Sequence, residues 1–163
     1  MANTDNPNGF SLAKNATGQP VIQSFAIAAS QTITKGDAVI LASGLVQIAV
    51  ATSGALLGVA QETITSGASV TRADDRILVA VGTPANIFEG QCSGDSAATS
   101  VGAECDIEGA TGVMQVNENA SVEDVLQIIG LKSDVDADFT IGTNDRVFFT
   151  ITRSQYDGRV AER

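Results

Sequence analysis

The chain has 163 residues, which suits one domain of ordinary size that buries about two-thirds of its unfolded surface. Hydrophobic residues make up 44 % but aromatics only 4 %, and Trp and His are both absent. The core must therefore be built of Ala, Val, Ile and Leu, and the missing imidazole excludes Ser-His-Asp and Cys-His catalysis and most zinc and iron sites. The net charge of −10 is unevenly placed: residues 89–138 hold eleven acids against one base, Lys132, whereas acids and bases balance elsewhere. Such a surface repels phosphate, so no nucleic-acid partner is expected. No run approaches the ~18 apolar residues a membrane span needs. Nor does a basic stretch followed by an apolar one open the sequence, so the chain is expected to be made and kept in a cytosol.

Residues 1–20 are polar and rich in Asn, Gly, Pro and Thr, with Phe10 and Leu12 the only bulky apolar side chains. A segment of that composition cannot form a core by itself, and it reads as an extended arm with no partners inside the chain. A strand is expected over residues 21–29. Residues 34–70 then alternate short aliphatic runs with the turns Lys35-Gly36-Asp37, Ser43-Gly44, Ser53-Gly54 and Ser66-Gly67. That rhythm, about ten residues between turns, is the signature of a small all-β barrel or sandwich. Because the runs 38–41, 45–50 and 56–60 are apolar on both faces, they are expected to be central strands of a meander.

Further strands are predicted over 77–81, 87–92 and 146–153, with Gly90 marking a bulge or a close approach. Residues 104–108 and 113–116 are expected to pair around the turn 109–112. Ser121 with Asp124 resembles a helix-capping pair, but the β-branched run after it favours a turn at 121–124 feeding a strand to residue 131, with any helix limited to a turn or two near 121–126. The prediction is a single all-β, barrel- or sandwich-like domain over residues 21–153. It carries the extended arm 1–20 before it and a short polar tail, 154–163, after it.

Chemistry is sparse. Cys92 and Cys105 read as small buried hydrophobes, with a disulfide between them the lesser alternative. Asp134, Asp136 and Asp138 have the spacing of the first three calcium-loop ligands. The sixth position is Phe139 where the bend wants Gly, and the twelfth is Asp145 where a longer Glu is usual; a solvated acidic loop fits better than a cation site. No phosphate-cradling glycine loop is present, and the shortage of aromatics counts against a glycosidase cleft. No cofactor and no catalytic residue is assigned, and the chain is not expected to be an enzyme.

Several pieces taken in order carry a resemblance: Asn8-Gly9-Phe10, Lys35-Gly36-Asp37-Ala38-Val39, Ser43-Gly44-Leu45-Val46, Leu57-Gly58-Val59-Ala60, and Thr83-Pro84 leading to Phe88-Glu89-Gly90-Gln91. Residues 125–131 then precede an acidic loop and a last strand. In that order they are similar to the small head-decoration (cement) proteins of tailed bacteriophages. The resemblance implies a virion structural protein, made in the host cytoplasm, that binds the capsid exterior. Its partner would be the major capsid protein and its own form a homotrimer, with neither membrane nor nucleic acid involved. The arm would reach the capsid, with Phe10 and Leu12 filling pockets there, while the acidic segment faces solvent. The alternative is a phage tail or fibre-associated β-module that binds a carbohydrate or receptor; a carboxylate-only enzyme is a third class.

Overall fold

The computed structural model describes residues 3–156. In chain order its strands are β1 (Ser11–Asn15), β2 (Ile22–Ala26), β3 (Thr32–Ile33), β4 (Ala38–Ala42), β5 (Leu45–Ile48), β6 (Gly58–Ala60) and β7 (Ile64–Thr65). There follow β8 (Arg76–Val81), β9 (Asn86–Gln91), β10 (Glu104–Glu108), β11 (Gln115–Asn117), β12 (Leu126–Leu131) and β13 (Arg146–Ile151). The domain is all-β, as the turn spacing predicts. The only helical pieces among the described residues are single 3-10 turns at Ala98–Ser100 and Lys132–Asp134.

Five strands, in the order β2-β8-β6-β4-β5, form one antiparallel layer. The two-residue turn Ser43-Gly44 sets the β4–β5 register, with Ala42 opposite Leu45. Beyond β5 the chain departs from the expected meander: it crosses to the other side of β4 and adds β6 there. β5 is accordingly an end strand, not a central one. Its free side is covered by the chain just past β2: Ile27 bridges Val46, and the Ala28 N–H donates to the Val46 carbonyl at 2.9 Å. The five strands thereby close into a small barrel. Ile33 and Ile64, on the β3–β7 ribbon, pack with its interior residues Ile27, Val39, Val46, Leu57, Ile77 and Val79.

The second layer has six strands, β1-β9-β13-β12-β10-β11. Its inner side chains, among them Phe88, Phe149, Leu126, Ile128, Cys105 and Ile107, pack against Ala38, Val59 and Ala80 of the barrel wall. This explains the two-faced apolar runs. On β4, Val39 points into the barrel while Ala38 and Ile40 meet the sheet. Each large side chain fully buried this way contributes about 1.5–3 kcal/mol.

Two polar devices fix the layers. Asp37 is fully buried; its carboxylate accepts from the Thr34 N–H at 2.8 Å, the Gly112 N–H at 2.7 Å and the Thr111 hydroxyl. A turn on the barrel thus grips the β10–β11 turn of the sheet. Asp106 accepts the N–H groups of Val122, Glu123 and Asp124 at 3.1, 3.0 and 2.8 Å. As expected, 121–124 is a turn that feeds a strand, β12: those three donors point at Asp106, and Asp124 adopts a left-handed φ of 52° that ends the turn.

The segment 154–163 is also corrected in part. Ser154 is buried beside Leu56, whose N–H donates to the Arg153 carbonyl at 2.9 Å. The Gln155 amide brackets Leu41, accepting its N–H at 2.6 Å and donating to its carbonyl at 3.1 Å. Residues 157–163 of the expected tail, with Met1 and Ala2 of the expected arm, lie outside the described residues.

Candidate functional site

The extended arm expected over residues 1–20 is, over its described length, part of the domain. Ser11–Asn15 is the end strand of the six-stranded sheet, antiparallel to β9. Phe10 is only 4 % exposed, its ring set edge-on to Phe149 at 5.1 Å and 80°. Leu12 is partly buried against the same cluster. Phe10, expected to fill a pocket on a partner, instead fills one in its own chain. The physical reason is non-local: Gly90 on β9 leaves a hollow in which the Phe10 ring sits. A Cβ at position 90 would lie 2.6 Å from Phe10 Cδ1. The expected role of Gly90 is therefore resolved as a close approach.

The preceding residue meets the Lys35-Gly36-Asp37 turn. Gly9 and Gly36 both have positive φ, 75° and 98°, and a Cβ on Gly9 would lie 2.7 Å from the Gly36 carbonyl oxygen. Only glycine lets these two backbones approach so closely. The Phe10 N–H completes the contact by donating to that carbonyl at 2.7 Å.

Further toward the N-terminus, asparagines do the fastening. The Asn3 side chain donates to the carbonyls of Thr140 and Thr143 at 2.7 and 2.9 Å and accepts the Thr140 N–H at 2.9 Å. The Asn6 N–H donates to the Gln91 side chain at 2.9 Å, and that side chain donates to Asp5 at 2.9 Å.

Beside this segment lies an ion triad. Glu89 accepts from Arg146 Nε at 2.7 Å and from Lys132 Nζ at 3.2 Å, all three being half-buried. Lys132 also sits 5.6 and 5.9 Å from the ring centres of Phe148 and Phe139. The single base of the acidic segment is thus drawn to one carboxylate. Among the described residues, the guanidinium's other two nitrogens reach only Asn8 Oδ1, at 3.4 Å each. Arg146 separates two surface grooves of about 400 and 470 Å³. One is bounded by Asn8–Leu12, Lys35 and Gln61, and the other by Asn3, Asn6, Asp138 and Phe139. In the sequence Arg146 marks only the start of a strand; the available signal is a base at the head of the last strand and the acid of Phe88-Glu89-Gly90-Gln91, which the register sets diagonally, Arg146 facing Gln91 and Glu89 facing Phe148.

The pieces Asn8-Gly9-Phe10, Lys35-Gly36-Asp37 and Phe88–Gln91 are far apart in sequence yet form one contact. The other candidates stay separate. Cys92 and Cys105 are free, buried thiols. Burial, with nearby carboxylates second, pushes the Cys105 thiol up to about 12 and the Cys92 thiol higher still, so neither supplies a thiolate at neutral pH. Asp134 and Asp138 are exposed and Asp136 is half-buried. Asp145 is buried and accepts the hydroxyls of Ser96 and Ser133 at 2.8 and 3.0 Å. Among the described residues no group of three or more Cys, Asp or Glu side chains is arranged to hold a metal ion, and no helix is long and apolar enough to cross a membrane. Set against known proteins, the chain matches no protein-family model and no curated sequence.

Proposed function

We propose that this chain is a capsid decoration protein. On this reading it binds the outer surface of a tailed-phage head as a homotrimer, reinforces contacts between major capsid subunits, and catalyses nothing. The observation that carries the reading is the convergence of the resembling pieces: Gly9, Phe10, Gly36 and Gly90 interlock, with Glu89 and Arg146 beside them. The buried carboxylates add support. Asp37, Asp106 and Asp145 each accept three hydrogen bonds that hold turns in place. That is the chemistry of a rigid scaffold whose loops serve as contact surface.

The test is to mix the purified chain with heads built from the major capsid protein of the phage that encodes it. Many copies should sediment with the heads, raise the temperature at which they rupture, and form threefold clusters in images. Absence of co-sedimentation would sink the proposal, and retention on a glycan array in its place would favour the tail or fibre module.

A further inference from the structure

The groove between the N-terminal segment and the Lys35-Gly36 turn is lined by cations on an acidic chain. Lys35 and Arg146 line it, and no carboxylate does, on a protein of net charge −10. Among the described residues Lys35 has no carboxylate partner. Arg146 Nε is held by Glu89, while among the described residues its two terminal nitrogens have only the long contacts to Asn8 and keep donors to offer. Gln61 adds an amide to the same rim, and Phe10 and Leu12 give it apolar lining. One wall belongs to β1, the end strand of its sheet, whose outer side has no neighbouring strand among the described residues.

We propose that this groove docks an extended, carboxylate-bearing segment of a protein partner; on the decoration reading, on which this rests, the partner is the shell subunit. An extended segment suits a strand end, where main-chain groups supply hydrogen bonds. A carboxylate suits a fork of free guanidinium N–H groups with an ammonium nearby. The neighbouring groove shares Arg146 but contains Asp138, which disfavours an acidic occupant. Decoration would then be oriented: the cationic groove meets the shell, and the exposed acids Asp95, Glu104 and Asp134 need not be buried against it.

The experiment titrates the full chain with the peptide acetyl-VEVEV-amide and its glutamine counterpart, following backbone amides by NMR. The glutamate peptide is expected to shift the amides of Leu12, Gly36 and Gln61 and to bind about tenfold more tightly than the glutamine peptide. Lys35→Glu, at an exposed position, should remove that preference without moving the thermal midpoint. Equal affinity for the two peptides, shifts elsewhere on the surface, or full displacement by equimolar inorganic phosphate would each overturn the proposal. So would occupation of the groove by a second copy, seen as chemical-shift changes there with rising protein concentration alone. Head binding separates the two readings. If wild type and Lys35→Glu decorate heads equally, the groove assignment fails and the decoration reading stands. If the peptide binds as expected and heads do not, the reverse holds.

Discussion

At Gly90 a single added methyl group would collide with two aromatic rings. An added Cβ would meet Phe10 at 2.6 Å and Phe149 at 3.3 Å, so one ring must leave its place. Overpacking of this kind costs about 1–3 kcal/mol. Gly90→Ala should therefore lower the urea midpoint, and Phe10→Leu in the same chain should recover part of the loss; an unchanged midpoint in Gly90→Ala would refute the contact. The thiols lead to a second expectation. Cys92 and Cys105 are raised from 9.0, Cys105 to about 12, mainly by burial. Above pH 9 the unfolded chain releases protons that the folded chain keeps. Their stabilising contribution is thus complete below pH 9 and lost as pH rises toward 12, by about 1.4 kcal/mol per unit for each thiol. Stability measured at pH 8 and at pH 10 should fall more for the native chain than for a Cys92→Ala/Cys105→Ala variant. Equal falls would mean the thiols titrate alike folded and unfolded.

At the scale of elements, β1 bears most weight. Phe10→Ala removes a nearly buried ring and should cost about 3–5 kcal/mol. Deleting residues 2–15 removes that ring together with a whole strand, and should expose the β9 edge to self-association or unfolding. A truncated chain that is monomeric and melts with the full chain would show β1 to be dispensable. Its docking was illegible in the sequence because local composition reports only what a segment can bury by itself. Phe10's partners, Gly90 and Phe149, are about 80 and 140 residues away. The β4–β5 hairpin was legible because Ser43-Gly44 states its turn locally. The crossing from β5 to β6 was not, since apolar runs reveal burial on both faces but not the order of neighbours. At 121–131 the turn and the strand after it were legible, whereas the remote carboxylate that takes the turn's donors, Asp106, was not. Of the candidate site, the pieces were readable and their meeting place was not.

For the whole molecule, the chain path and the packing point in opposite directions. The barrel is a continuous piece, β2 to β8, inserted between β1 and β9 of the other sheet. Such an insertion invites separate unfolding. Yet the larger hydrophobic cluster takes Ala38, Val59 and Ala80 from the barrel and Phe88, Leu126 and Phe149 from the sheet, so neither layer has a complete core. The Asp37 clasp crosses the same boundary to Thr111 and Gly112, and the chain around Ser154 returns from the sheet to lie beside Leu56. We therefore expect one cooperative transition. Asp37→Asn keeps the shape but turns one acceptor into a donor, leaving a buried N–H unsatisfied at a cost of about 1–3 kcal/mol. Hydrogen exchange in that variant should accelerate by a common factor at Val39 in the barrel and Phe149 in the sheet, and calorimetry should give a single peak at a lower temperature. Acceleration at Val39 alone, or a second peak, would make the barrel an independent unit and the clasp a surface ornament.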